Sequence, residues 1–188
     1  MAVLIDDLNR ALVDYADRFP QDRGVVEELR ALQKEQAQIT HRKEFRGHVT
    51  CSAICVADDG QVLMIHHRAL DRWLFPGGHL EADDSSLRDA ALRELMEETG
   101  ISKVALSAPA DEFAAMPVHL DRHIIPENPA KAEPAHPHYD FGFIFVGRTG
   151  AVAPQLAEVT DCAWVRREKM PPAIASRLSE AATWWRAE

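Results

Sequence analysis

The stretch FPGGHLEADDSSLRDAALRELMEETGI, Phe75 to Ile101, decides how this chain is read. A double glycine, Gly77-Gly78, leads into a run that turns helical and carries an unusual density of carboxylates. Ser85 or Ser86 is suited to cap the helix, and Gly100 to stop it in the left-handed conformation. With each residue turning about 100°, Leu92, Leu95, Met96 and Thr99 form the expected buried stripe, while Glu94, Glu97 and Glu98 share an arc of about 100° on the far side. Like charges one turn apart cost a helix stability, so the crowding asks for a reason. One reading is a solvated acidic face. The other is a hard-cation site, in which Mg²⁺ or Mn²⁺ takes the oxygens and screens their repulsion. Arg93, one turn before Glu97, is placed to hold that acid by an i,i+4 ion pair, leaving Glu94 and Glu98 freer to coordinate. The strand-like RWLF and a glycine loop whose backbone can approach a ligand favour the second reading.

Outward from this helix the pattern changes twice. Towards the N-terminus, Val49, Cys51, Ala53 and Cys55 alternate with Thr50, Ser52, Ile54 and Val56, and an ADDG turn leads to Val62–His67, which predicts a hairpin. Earlier still, Leu4, Leu8, Leu12 and Tyr15 recur at helical spacing up to Pro20, and a second helix is expected from about Val25 to Ile39. This preface, residues 1–43, is suited to capping the domain, to dimerisation, or simply to packing on the body formed by 44–188. Beyond Ile101, alternation returns around Pro117–Ile125 and His136–Val146, separated by the Pro-rich PENPAKAEPA. From Pro172, Ile174, Leu178, Ala181 and Trp185 recur at helical spacing. Strands flanking one central helix, with helices at both ends, indicate an α/β (α+β) sandwich.

Composition sets the limits. At 188 residues, 46% of them hydrophobic, the chain accommodates one well-buried domain with appendages. A formal charge of -9 argues against stable nucleic-acid binding, which depends on clustered Lys and Arg. The three cysteines form no CxxC pair and fit small core residues of a reducing compartment. No basic leader and no bilayer-length apolar run is evident, so a cytoplasmic protein without membrane partners is expected.

The segment GGHLEADDSSLRDAALRELMEETGI resembles the signature of the Nudix hydrolases (MutT-like), Gx5Ex7REUxEExGU, where U is aliphatic. Arg93, Glu94, Leu95, Glu97, Glu98, Gly100 and Ile101 match its second half at every fixed position. The first half departs from it: the Gly78-to-Arg93 spacing is one residue longer, and Asp84 or Ser85 stands where a glutamate is expected, with Glu81 nearby but shifted. The resemblance implies an α/β/α sandwich around a mixed sheet and hydrolysis of a nucleoside diphosphate linked to another moiety. It further implies that Glu94, Glu97 and Glu98, with the Gly77 carbonyl, hold Mg²⁺ or Mn²⁺. A pyrophosphohydrolase is the expected function. The alternatives are a catalytically silent Nudix-fold nucleotide-binding regulator and a Nudix-like isomerase of a diphosphate ester. Family precedent and the N-terminal helices lean towards a homodimer.

Further candidates surround this signature. The water's proton acceptor is open between Glu97 and Glu158, with Glu133 a further possible base; Glu158 stands six residues before Trp164, where some family members carry an extra metal-binding glutamate, and an ordinary loop acid is its other reading. His119, Asp121 and His123 alternate on one strand, and His136, His138 and Asp140 on another. If these strands pair antiparallel, six ligand-type side chains share one surface, for substrate contact, for an auxiliary transition metal, or as a solvated face. Arg68 is suited to attract phosphate and Trp73 to stack on a ring or to pack.

Overall fold

The computed structural model describes residues 2–103, 106, 116–150 and 152–185. Helices α1 (Ala2–Arg18) and α2 (Arg23–Lys34) open the chain. The stripe anticipated on α1, namely Leu4, Leu8, Leu12 and Tyr15, is buried. Helix α2 ends before the Ile39 expected from its pattern. Gln36 adopts a φ of 57°, and the amides of Gln36 and Ala37 return to the carbonyls of Gln33 (3.0 Å) and Leu32 (2.9 Å). This is the Schellman stop, built here on glutamine rather than glycine. Ile39 is still buried, because beyond the helix its carbonyl accepts the Val49 amide at 2.7 Å.

Seven strands form one curled mixed sheet: β1 (His48–Ala57), β2 (Gln61–His67), β3 (Arg72–Leu74), β4 (Gly77–His79), β5 (His119–Ile125), β6 (His136–Gly147) and β7 (Val159–Arg166). Strand β1 runs parallel to β6, from His48 opposite His138 to Ala57 opposite Gly147. The other strand pairings are antiparallel. One edge of β1 is shared between β4, opposite Thr50–Ser52, and β2, opposite Val56, so β2 diverges and carries β3 and β7 away with it.

Strand alternation divides the two faces. Val49, Cys51, Ala53 and Cys55 join Tyr139, Phe141, Phe143 and Phe145 in the main core, which α1, α2 and α3 (Leu87–Thr99) cover. Ile54, Val56, Ile144 and Val146 face the other way, against Ile174 and Leu178 of α4 (Pro172–Trp185). Each such large apolar side chain contributes about 1.5–3 kcal/mol by leaving water. Ala181 and Trp185, the remaining positions of the α4 stripe, lie outside the described side chains. Cys51 and Cys55 are core residues as expected, whereas Cys162 is only half-buried.

The N-terminal helices pack on the body and share its core. The Tyr15 hydroxyl donates to Asp22 (2.5 Å) and accepts from the Leu120 amide (3.0 Å) and from Arg177 (2.9 Å). Arg177 also donates to Asp22 (2.5 Å) and to the Val118 carbonyl (3.0 Å). A single buried phenol thus joins α1, β5 and α4. In addition, Asp7 of α1 accepts the Leu87 amide at 2.8 Å, filling a vacancy at the start of α3.

Candidate functional site

Helix α3 begins where Ser86 accepts the Asp89 amide at 3.0 Å and ends where Gly100, at φ 69°, donates to the Met96 carbonyl. Its buried side is not the predicted stripe. Leu95 and Thr99 are inside, but Leu92 is half-buried and Met96 is 37% exposed, while Leu87, Ala90, Ala91 and Glu98 are buried. The small Ala90 and Ala91 sit in the core cluster. The helix is rotated so that Glu98 enters the interior, where the Gly77 amide donates to it at 2.8 Å. A carboxylate can be buried on those terms because a donor meets it.

Arg93 organises the acids. Its guanidinium forks onto Asp84 (3.0 and 3.1 Å), donates to Glu94 (2.9 Å) and Glu97 (3.2 Å), and caps the His79 carbonyl (2.9 Å). The predicted Arg93–Glu97 pair is present, but Glu94 is no freer than Glu97: the guanidinium reaches its immediate neighbour as well. Of the two residues that could replace the signature's early glutamate, Asp84 receives the arginine, whereas the Ser85 hydroxyl bonds Asp89. Glu81, more exposed, stands 3.9 Å from Arg93.

The glycine loop lies against this web. A Cβ on Gly78 would fall 2.4 Å from a Glu94 carboxylate oxygen, so no larger residue fits without moving that acid. Burial pushes the Glu98 carboxyl up to about 8; the Gly77 amide opposes the shift, and the charges of Glu94, Glu158 and Glu97 add to it. Burial also raises Glu94, against the opposing influence of Arg93. Arg93 is held above its ordinary value although burial lowers it, because Asp84 and Glu94 outweigh that penalty.

Glu158 belongs to the loop before β7 and is exposed; its charge is felt at both Glu94 and Glu98. That loop is anchored to the end of α3 through the Glu98 carbonyl, bonded by the Gln155 amide at 3.0 Å. Arg68 is gathered into the same loop, its side chain donating to the Leu156 carbonyl and its amide to the Glu158 carbonyl, both at 2.8 Å. Trp73 is 43% exposed and meets His66 edge-on at 5.2 Å.

The histidine ladder occupies the opposite face of the sheet. Strands β5 and β6 pair antiparallel, with Asp121 opposite Asp140 and His123 opposite His138, so His119, Asp121, His123, His136, His138 and Asp140 share one side. The structure adds residues that the sequence reading passed over. His48 precedes the alternating run that was read from Val49, and its parity puts it beside Thr50 and Ser52, which donate to Asp140 at 2.9 and 2.6 Å. His79 follows Gly78 and therefore points away from Glu94, reaching 5.2 Å from the rings of both His48 and His138. Burial and neighbouring positive charge depress His48, His79 (to about 3) and His138. His123 titrates higher through its bond to Asp121 at 2.9 Å. His119 is lowered by burial, and its Nδ1 has no partner among the described residues.

A family profile described as the NUDIX domain matches residues 46–185. The chain belongs to the NUDIX family. Phosphatase NudJ of Escherichia coli K12 is 45% identical over 60 residues, 31% of this chain and 38% of NudJ, so the chain spans well under half of that relative's length. Among solved structures, an Ap4A hydrolase binary complex from C. elegans aligns with a TM-score of 0.52 at 16% identity, covering 72% of this chain and 95% of its own. A NUDIX-family hydrolase from Clostridium perfringens aligns at 0.51 with 23% identity, covering 72% and 96%. These likenesses show that this NUDIX chain has the fold anticipated from its signature. Divalent-metal use is general in the NUDIX family. No helix among the described residues is long and apolar enough to cross a membrane.

Proposed function

We propose that this NUDIX chain is a pyrophosphohydrolase, cleaving a phosphoanhydride bond of a nucleoside diphosphate linked to another moiety, with Mg²⁺ or Mn²⁺ as cofactor. The observation that carries the reading is the buried Glu98 and half-buried Glu94 beside two glycines, where a side chain on Gly77 would strike the β1 backbone and one on Gly78 would displace the Glu94 carboxylate. Carboxylates raised by burial and by one another form an oxygen donor set suited to a hard cation. Glu94, Glu97, Glu98 and the Gly77 carbonyl would hold it, with Glu158 approaching from the neighbouring loop. When bound, the ion neutralises phosphate charge and lowers the pKa of the attacking water. The chain's own contribution is positional. Asp84 fixes Arg93, Arg93 fixes Glu94 and Glu97, and Glu97 or Glu158 accepts the water's proton. Residues 44–188 form the catalytic domain, and the helical extension 1–43 supports it by placing Asp7 at the start of α3.

The test is incubation with Mg²⁺ and a panel of dinucleotides, nucleotide sugars, ADP-ribose and nucleoside triphosphates, with products resolved by chromatography. The expected result is metal-dependent conversion of at least one pyrophosphate-linked compound into two phosphate-bearing products. Tight binding without turnover of any member would instead make the chain a nucleotide-sensing regulator.

A further inference from the structure

The opposite face of the sheet holds a second donor set of different chemistry, carried by β1 and β6. One ring nitrogen each of His48, His136 and His138 lies within 4.8 Å of the others, and all three residues are buried. Among the described residues this is the grouping of metal-binding side chains drawn that close. Two tautomers are fixed by the backbone. His136 Nδ1 lies 2.6 Å from the Pro134 carbonyl and His48 Nδ1 lies 3.2 Å from the Glu44 carbonyl. A carbonyl only accepts, so both Nδ1 atoms carry the proton and both Nε2 atoms present a lone pair inward. His138 Nε2 donates to His136 Nε2 at 3.2 Å, a proton that moves to His138 Nδ1 when an ion takes its place, while His48 Nε2 is buried with no hydrogen-bond partner among the described residues. Buried polar atoms are rarely left so, and an ion is one of the usual reasons.

We infer that His48, His136 and His138 bind a borderline divalent transition ion of the Zn²⁺ class, separately from the carboxylate site on α3. Zn–N bonds of about 2.0–2.1 Å place tetrahedral nitrogens about 3.3 Å apart, close to the His136–His138 spacing already present. Imidazoles that give their other N–H to a backbone carbonyl are the usual oriented ligands of such ions. Three of them leave a fourth position for a water, beside His79. The ion would bridge β1 and β6 at the end of their parallel pairing, where His48 stands opposite His138. Neutral imidazole is a poor ligand for Mg²⁺ and a good one for zinc, so the two sites select different metals.

The experiment uses the full untagged chain, stripped with chelator and held in millimolar Mg²⁺, and titrates Zn²⁺ against a chromophoric competitor. One equivalent of zinc is expected, retained in Glu98→Gln and weakened at least about tenfold in His136→Gln and His138→Gln. Cobalt(II) in place of zinc should give the intense visible absorption of four-coordination without a thiolate charge-transfer band. Absence of zinc uptake by the wild-type chain overturns the assignment. So does uptake lost in Glu98→Gln yet kept in His138→Gln, or a thiolate band that moves the ion to Cys162. Should the glutamine variants fail to fold, imidazole ¹⁵N resonances of the wild-type chain decide. Zinc must shift the Nε2 signals of all three histidines and leave the Nδ1 protons of His48 and His136 in place.

Discussion

The two faces of β4 invite comparison because the same three residues serve both. On one side Gly78 makes room for the Glu94 carboxylate, and on the other His79 joins a group of imidazoles. The acids are gathered by a cation the chain supplies itself, Arg93, braced by Asp84. The histidines carry no charge for a cation to gather: burial first, and neighbouring positive charge after it, disfavour protonation of His48, His79 and His138, and the His48 Nε2 lone pair has no partner among the described residues. A carboxylate oxygen cluster and an imidazole nitrogen cluster are therefore separated by one thickness of sheet, and their chemistries are tested separately.

The largest effect expected is on the acid side. Glu98→Gln should lower Mg²⁺-dependent turnover by more than about a hundredfold, since even partners that merely orient metal ligands cost about 10–100-fold. An unchanged circular dichroism spectrum would show that the fold persists, and full activity would remove Glu98 from the site. Asp84→Asn keeps the shape but releases one arm of the Arg93 web, and a loss of about 10–100-fold in kcat is expected. Kinetics identical to wild type would mean that Arg93 needs no brace.

A pH series sharpens the contrast. The Glu98 carboxyl is raised in the folded protein to about 8, above its ordinary 4.5. Between those values the folded chain holds a proton that the unfolded chain has released, so stability is fully present at lower pH and is lost as pH rises through that window. The depressed histidines make stability rise with pH up to about 6.5, so the Glu98 contribution stands clear above it: thermal midpoints of the metal-free protein should fall from pH 7 to 8, and Glu98→Gln should flatten that fall. Added Mg²⁺ should stabilise more at the upper end, because the ion no longer competes with the proton. A slope unchanged in Glu98→Gln would place the proton elsewhere.

The smallest effect lies away from both faces. Tyr15→Phe deletes one oxygen and leaves the Leu120 amide and Arg177 each short of a partner, a loss of about 1–3 kcal/mol in urea unfolding. Turnover should be unchanged at temperatures where the variant is folded. A reduced kcat without lost stability would instead tie the N-terminal extension to the chemistry.

Much of this was readable in one dimension because it is local. Ser86 as cap, Gly100 as stop, the hairpin after Ala57 and the two alternating strands each depend on residues a few positions apart. The signature's second half named the acids for the same reason. What failed was rotation and termination. The wheel put Met96 inside and Glu98 outside, since apolarity was weighed without the Gly77 amide that makes a buried carboxylate tolerable. Helix α2 was carried too far because nothing in its pattern announces that Gln36 will turn left-handed.

By itself, then, the sequence determined the main helices, the alternating strands and the family, because helical and strand periods and a dense motif are properties of neighbours along the chain, whereas the short β4 and the unannounced β7 are strands only through their pairing with β1 and β2. Only the tertiary structure decided which acid is buried, that Asp84 rather than Ser85 braces Arg93, and that His48 and His79 join the ladder. Those outcomes depend on strand register and on which backbone amide or carbonyl meets each polar atom once water is excluded, and they come from segments up to ninety residues apart, as between Thr50 and Asp140.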